Sequence, residues 1–325
     1  MLPRRHLLAL GGAALAAPAL LRGALAQTFP NRFVRLVVPF TPGGAVDGAA
    51  RIIANRLSEM WGQQMVIENR PGAGGNVAAA AVLGSDPDGH TVYIVSIGHA
   101  ISQFVTPQLN YDPVKDFAPV TLMCVYPNIM AIPNSSPSRT LPEFIARAKA
   151  EPGKVTYCSS GIGTSLHLAG ELFKHMAGVN LTHIPYRGAG PALNDLLPGR
   201  VDAIFANFPS TLPYVQNGQL RGLAVTTAQR QPEVPDLPAI AEFVPGYDVS
   251  SWFALFVAAK TPPEIVAKLN ADAIAALNTP SVKARYAQLG ATVVGSTPAA
   301  LAAHLQAEID KWGPIIKAAG IKNDG

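Results

Sequence analysis

The chain has 325 residues, of which 49% are hydrophobic and 14% charged, with a formal net charge of +4. This composition excludes a disordered or low-complexity chain and is that of a globular protein with a sizeable core, by its length more naturally in two lobes than in one. No cluster of Lys and Arg stands out, which excludes an electrostatic surface for nucleic acid.

The first 26 residues read as an export signal. Arg4 and Arg5 precede an apolar run over 7–21, and Ala24-Leu25-Ala26 forms a small-x-small cleavage site before Gln27. The run is shorter than the roughly 20 residues a membrane span needs, so removal rather than anchoring is expected. The paired arginines suit a twin-arginine signal and an ordinary secretory signal equally, and the route stays open. Arg4, Arg5 and Arg22 leave with this segment, which lowers the formal +4 to +1. An oxidising compartment permits Cys124 and Cys158 to pair, although their apolar and small neighbours favour buried free thiols in core strands.

Strands and helices alternate along the rest of the chain, which predicts an α/β fold with largely parallel sheets. A strand over 33–40 leads into a helix over 46–61, where Ala49, Ile52, Ile53, Leu57 and Met60 form an apolar stripe at helical spacing. A strand over 65–68, a glycine-rich turn over 71–75, a helix over 76–83 and a strand over 91–97 complete the first lobe. A second run begins after Phe117-Ala118-Pro119, with a strand over 129–132 and a helix opened by the capping box Thr140-Leu141-Pro142-Glu143. It continues with strands over 155–159, 181–185, 203–205 and 220–226, separated by helices over 165–177, 191–196 and 211–216. Four prolines over 231–246 predict an irregular connection that crosses between the lobes. A strand over 252–257 returns to the first lobe, and helices over 261–277, 281–289 and 298–319 close the chain. Crossings are expected near 121–125 and 250–252. The chain then divides into a signal over 1–26, one lobe of 27–124 plus 250–325, and a second lobe of 125–249.

Two strand-to-helix loops carry the candidate site. In Leu36-Val37-Val38-Pro39-Phe40-Thr41-Pro42-Gly43-Gly44-Ala45-Val46-Asp47 an apolar strand breaks into a diglycine turn before a helix. Glycines let backbone N–H groups approach a ligand, and the helix start adds unpaired donors at the positive end of its dipole. The second loop, Ser159-Ser160-Gly161-Ile162-Gly163-Thr164-Ser165-Leu166-His167, has the same form. On two lobes the loops can face each other across a cleft, where open α/β folds bind ligands. Phe40, Thr41, Gly43, Gly44 and Ala45 are expected ligand contacts on the first, and Ser160, Gly161, Gly163, Thr164 and Ser165 on the second. Asp47 stabilises its helix start by roughly 0.3–1 kcal/mol, and it alternatively orders the cradle or meets a ligand ammonium. Tyr186, Arg187, Asn207 and Phe208 follow later strands and are further candidates, as is His99, just past the strand over 91–97.

Other chemistries find little support. Gly161-x-Gly163 and Gly72-x-Gly74 lack a third glycine at Leu166 and Val77, and no Gly-Lys-Ser/Thr follows either, so a nucleotide cofactor is not expected. His167, His175 and His183 are spaced by eight residues and do not form a metal-binding pattern. A hydrolase using Ser160 or Ser165 with His167 is motivated only by their nearness in sequence, since no G-x-S-x-G elbow is present.

Taken together these motifs resemble the substrate-binding receptors of the tripartite tricarboxylate transporter system, the Bug-type extracytoplasmic solute receptors. The resemblance spans the mature chain. It rests on the first loop with Asp47, on Val66-Ile67-Glu68-Asn69-Arg70-Pro71-Gly72-Ala73-Gly74-Gly75-Asn76, on Pro87-Asp88-Gly89 and on Tyr111-Asp112-Pro113-Val114-Lys115-Asp116-Phe117. It also rests on Ser159-Ser160-Gly161 with Gly163-Thr164, on His167-Leu168-Ala169 and on Val249-Ser250-Ser251-Trp252-Phe253. The resemblance implies a two-lobe, Venus-flytrap periplasmic binding protein of type II-like form, not an enzyme. It also implies a small carboxylate ligand held by backbone N–H groups, hydroxyls and waters, and delivery to a membrane permease. A monomer without metal or cofactor is expected, and a role in sensing for a signalling partner remains an alternative.

Overall fold

The computed structural model describes residues 29–106 and 108–322; the expected signal and its cleavage site lie outside them. Two mixed sheets organise the chain. The first is built from β1 (Val34–Val38), β2 (Met65–Asn69), β3 (Thr91–Val95), β4 (Phe117–Tyr126), β10 (Ser251–Ala258) and β11 (Thr292–Val293), in the order β11-β4-β10-β3-β1-β2. The second is built from β5 (Asn128–Pro133), β6 (Thr156–Ser159), β7 (Thr182–Pro185), β8 (Ala203–Asn207) and β9 (Leu220–Val225), in the order β7-β6-β8-β5-β9. The sheets share one plan. In each, the strand that has just entered from the other sheet, β10 or β5, is inserted antiparallel between the third and fourth strands.

Both faces of the first sheet are buried, which explains its near-continuous apolar strands. Leu36, Val38, Val92 and Ile94 pack with α1 (Ala45–Trp61) and α8 (Pro263–Leu277) on one face. Val37, Tyr93 and Val95 point the other way, towards α2 (Asn76–Leu83), α3 (Ile97–Val105) and α10 (Pro298–Ala319). That second cluster continues through Met130, Tyr157, Phe173 and Phe205 beneath the second sheet, so one core joins the two layers. Among the described residues no helix is long and apolar enough to cross a membrane.

Four sequence expectations change. The strand expected over 91–97 stops at Val95, and Ile97–Val105 is a helix. The strand β4, not expected as such, tolerates Pro119 because the ladder with β10 is irregular between Leu255 and Phe256, where Pro119 pairs. The first passage between sheets therefore falls at Pro127, beyond 121–125. Finally, the proline-rich 231–246 does not cross between lobes. It stays on the second sheet, where Ala239 bridges to Val225 and Ile240 and Val244 enter the core. The return crossing follows Val249, whose N–H still donates to Thr226 O at 2.8 Å. Cys124 and Cys158 are free, buried thiols, each in a core strand of a different sheet.

Candidate ligand-binding cleft

Every parallel strand ends at the same side of its sheet, and the loops there face one another. A cleft lies between them, lined by Phe40, Thr41, Gly44, Ala45 and Val46 from the first sheet's loop and by Ser160, Thr164, Ser165 and Leu166 from the second's. Ser96, Gly188, Ala189, Asn207, Ser210 and Phe253 complete it. The starts of α1, α3, α5 (Ser165–Ala177), α6 (Ala189–Leu196) and α7 (Phe208–Gln216) thus all open on this space. Each helix start contributes roughly 0.3–1 kcal/mol to an anion placed there, more when partly buried. Among the described residues no lysine or arginine lines this inner space. A wider outer chamber shares Phe40, Thr41, Ser160 and Thr164 with it and adds Gly161, Tyr186 and Arg187. The lobes meet at its edge, where the Thr41 hydroxyl donates to the Arg187 carbonyl at 3.2 Å.

Hydrogen bonds inside the two loops set ligand donors apart from scaffold. Asp47 is buried, and its carboxylate accepts from Gly43 N–H at 3.0 Å, Arg51 Nε at 2.8 Å and Asn69 Nδ2 at 3.0 Å. Burial raises its pKa, but these partners together outweigh that and hold the carboxyl below its usual value. Asp47 therefore shapes the loop and does not line the cleft, and the Gly43 N–H is spent inside it. The second loop is tied in the same manner. Gly161 N–H donates to Ser159 Oγ at 3.2 Å, Gly163 N–H donates to His167 Nδ1 at 3.2 Å, and Thr164 Oγ1 caps α5 by accepting from His167 N–H. What remains for a ligand are the first N–H groups of α1 and α5 and the hydroxyls of Ser96, Ser160 and Ser210, which make no hydrogen bond within the described residues.

Three further expected contacts lie elsewhere. His99 sits on α3 within the core, its Nε2 at 2.8 Å from Pro113 O and its ring among Tyr93, Tyr111, Phe117 and Phe256. Burial pushes its pKa down to about 4. The unforeseen helix carries it inwards: Ser96, three residues earlier, takes the cleft position instead. Phe208 is buried against Ile129, Val225 and Ala239 and leaves its neighbours Asn207 and Ser210 at the wall. Gly163 backs onto α3 beside Gly98, away from the main cleft.

Behind the second loop, His167 and His183 stack with ring centroids 4.1 Å apart. His183 Nε2 lies 2.8 Å from Ser159 Oγ, so the pair holds both ends of the loop. Burial pushes His167 to about 4 and, with the neighbouring His167 and Lys174, pushes His183 to about 3. His167 is thus spent on the loop backbone, and Ser165 Oγ instead meets Ser251 Oγ at 2.5 Å.

These features define a two-lobe solute-binding protein whose cleft is built from helix starts. Residues 49–321 match the family described as tripartite tricarboxylate transporter family receptor, and the chain belongs to that family. It is 34% identical to Protein BugT of Bordetella pertussis over 98% of each chain. A Pseudomonas sp. (strain P51) relative, described as a UPF0065 protein in the tcbD-tcbE intergenic region, is 39% identical over 89% of this chain and 87% of its own. Among solved structures, R. palustris Rpa4515 with adipate superposes with a TM-score of 0.86 at 42% identity, covering 90% of this chain and 99% of that one. MatC from Rhodopseudomonas palustris with bound malate gives 0.83 at 35% identity, over 89% and 100%.

Proposed function

We propose that this chain is an exported, periplasmic receptor that closes its two lobes on a small carboxylate and presents it to the permease of a tripartite transporter. The observation that carries the reading is the convergence of the starts of α1, α3, α5, α6 and α7 on one cleft whose inner wall, among the described residues, holds no lysine or arginine. Such a wall suits a carboxylate: an anion there is held by backbone dipoles without bringing a buried cation that must be desolvated when empty. The lobes would follow the two sheets, hinged where the chain passes between them, at Pro127 and after Val249. Arg187, exposed at the outer chamber and free of ion pairs among the described residues, suits a second carboxylate. The adipate and malate bound in the two R. palustris proteins support this ligand class.

The geometry gives the hydrolase alternative no support, because His167 is committed to Gly163 and Ser165 to Ser251. Calorimetry on ligand-stripped protein against C4 to C6 di- and tricarboxylates, acidic amino acids and aromatic acids tests the receptor reading. At least one acid is expected to bind with 1:1 stoichiometry, and an Arg187→Ala variant should lose affinity for diacids while keeping it for monoacids. No heat from any of them overturns the proposal.

A further inference from the structure

Four polar side chains at the hinge form a closed network with only one consistent proton arrangement. Ser251, 1% exposed and outside the cleft wall, starts the returning strand β10. Its Oγ lies 2.8 Å from Asn128 Oδ1, 2.7 Å from Asn207 Nδ2 and 2.5 Å from Ser165 Oγ. The orientation of Asn128 is set by Val249 O, which only accepts and faces its Nδ2 at 3.4 Å, so Asn128 Oδ1 turns towards the network. That oxygen accepts from both Ser251 Oγ and Asn207 Nδ2, the latter at 2.7 Å. Ser251 has a single proton and gives it to Asn128. Ser165 must then donate its own proton to Ser251, and Asn207 turns its amide nitrogen inwards, towards Asn128 Oδ1 and Ser251 Oγ.

The consequence appears at the cleft wall, where Ser165 and Asn207 are exposed to the ligand. The Ser165 proton and the Asn207 amide nitrogen both face away from it, into the network. Ser165 Oγ presents lone pairs, and Asn207 Oδ1, which has no partner within the described residues, is an acceptor as well. The backbone N–H of Ser165, at the first position of α5, is a donor immediately beside them. A carboxylate oxygen set against these acceptors is repelled, whereas a hydroxyl or ammonium hydrogen satisfies them.

We infer that Ser251 is a positioning residue that fixes the proton direction of Ser165 and Asn207, and that the cleft thereby selects acids bearing a hydrogen-bond donor beside the carboxylate, 2-hydroxy or 2-amino acids, over the unsubstituted skeleton. This rests on the carboxylate reading above. The test is calorimetry with matched probes: succinate, malate and aspartate, and glutarate with 2-hydroxyglutarate. In the wild type the best donor-bearing acid is expected to bind about tenfold tighter than its plain counterpart, the cost of leaving buried acceptors unpaired. In Ser251→Ala the Ser165 proton is free to turn into the cleft, and the ratio should fall below about threefold, a change in selectivity that a merely structural loss does not produce. Ser165→Ala, which removes one acceptor and leaves the hinge intact, should lower the ratio too and serves if Ser251→Ala does not fold. Equal binding of plain and donor-bearing acids by the wild type, or an unchanged ratio in the folded variants, overturns the inference alone. Binding of none of these acids overturns the carboxylate reading and this inference together.

Discussion

A methyl group placed on Gly98 would sit 3.3 Å from the carbonyl oxygen of Gly163 and 3.1 Å from that of Gly74. Gly98 is at the start of α3 on the first sheet, and Gly163 is in the loop before α5 on the second, so this is where backbone meets backbone across the lobes. Two opposing effects follow from Gly98→Ala. Alanine is better in a helix by about 1 kcal/mol, which favours the folded chain, while the Gly74 carbonyl, on the same lobe, must give by a few tenths of an ångström in any form and the Gly163 carbonyl only where the lobes meet. Thermal unfolding of the ligand-free variant is expected within a few degrees of wild type, but ligand affinity should fall about tenfold, near 1.4 kcal/mol. Unchanged affinity by calorimetry would show that this contact does not limit closure.

Gly44 invites the opposite substitution. Its φ of −82° and ψ of 174° are extended backbone that any residue adopts, and a Cβ there meets no atom within 4 Å. Nothing in the fold requires glycine at this N-cap, which leaves the ligand as the reason for the open space. In Gly44→Ser the hydroxyl can accept from the N–H groups that begin α1, stabilising the helix by a few tenths of a kcal/mol. The same bond withdraws those donors from the cleft. Melting temperature should stay level or rise while every carboxylate binds at least tenfold more weakly, or about 1.4 kcal/mol; a variant that binds normally would remove α1 from the site.

How far the sequence discloses this site depends on how local each interaction is. The turns before α1 and α5 are legible because a strand, a small-residue loop and a helix cap are consecutive in the chain. The helix α3 is not, since Ser96-Ile97-Gly98-His99 offers neither alanine-rich propensity nor a capping box, and its helical form comes from burial of Ile97, Ala100 and Ile101. That one gap misplaced His99 and hid Ser96. The spent donors at Gly43 and Gly163 are likewise invisible in a motif, because the side chains that consume them, Asp47 and His167, are equally good helix-start and helix-face residues. The Ser251 network bonds Asn128 to residues 79 and 123 positions on and Ser165 to one 86 positions on, a relation no local pattern encodes.

Acid sensitivity should begin well above the carboxylate range. His99 and His167 are pushed to about 4 and His183 to about 3, each chiefly by burial, which disfavours the charged ring. A histidine whose folded pKa is depressed stays neutral in the folded protein while the unfolded chain takes up its proton below about 6.5. Stability is therefore full above that pH and falls as the pH drops from about 6.5 towards 4, by about 1.4 kcal/mol per unit for each such histidine. Urea midpoints at pH 7, 6, 5 and 4.5 should decline through this window, and His183→Asn should flatten part of the slope. A midpoint constant from pH 7 to 5 is the contrary result.

Asp47 makes its contribution lower on the pH scale, because its folded pKa is depressed: it stabilises above the unfolded carboxyl value near 3.9 and loses that contribution only as the pH falls through the folded one. Its ion pair with Arg51 is half open to solvent, with the arginine side chain 51% exposed, so the Coulomb part is small and the buried bonds to Gly43 and Asn69 matter more. Asp47→Asn keeps one acceptor but sets an amide N–H₂ against a donor. A cost of about 1–2 kcal/mol at pH 7 is expected, read as a lower urea midpoint. Because the same carboxylate holds Gly43 and the turn that aims the α1 donors, affinity should drop for every acid tested, without the diacid bias expected of Arg187→Ala. Selective loss for diacids would instead place Asp47 at the ligand itself.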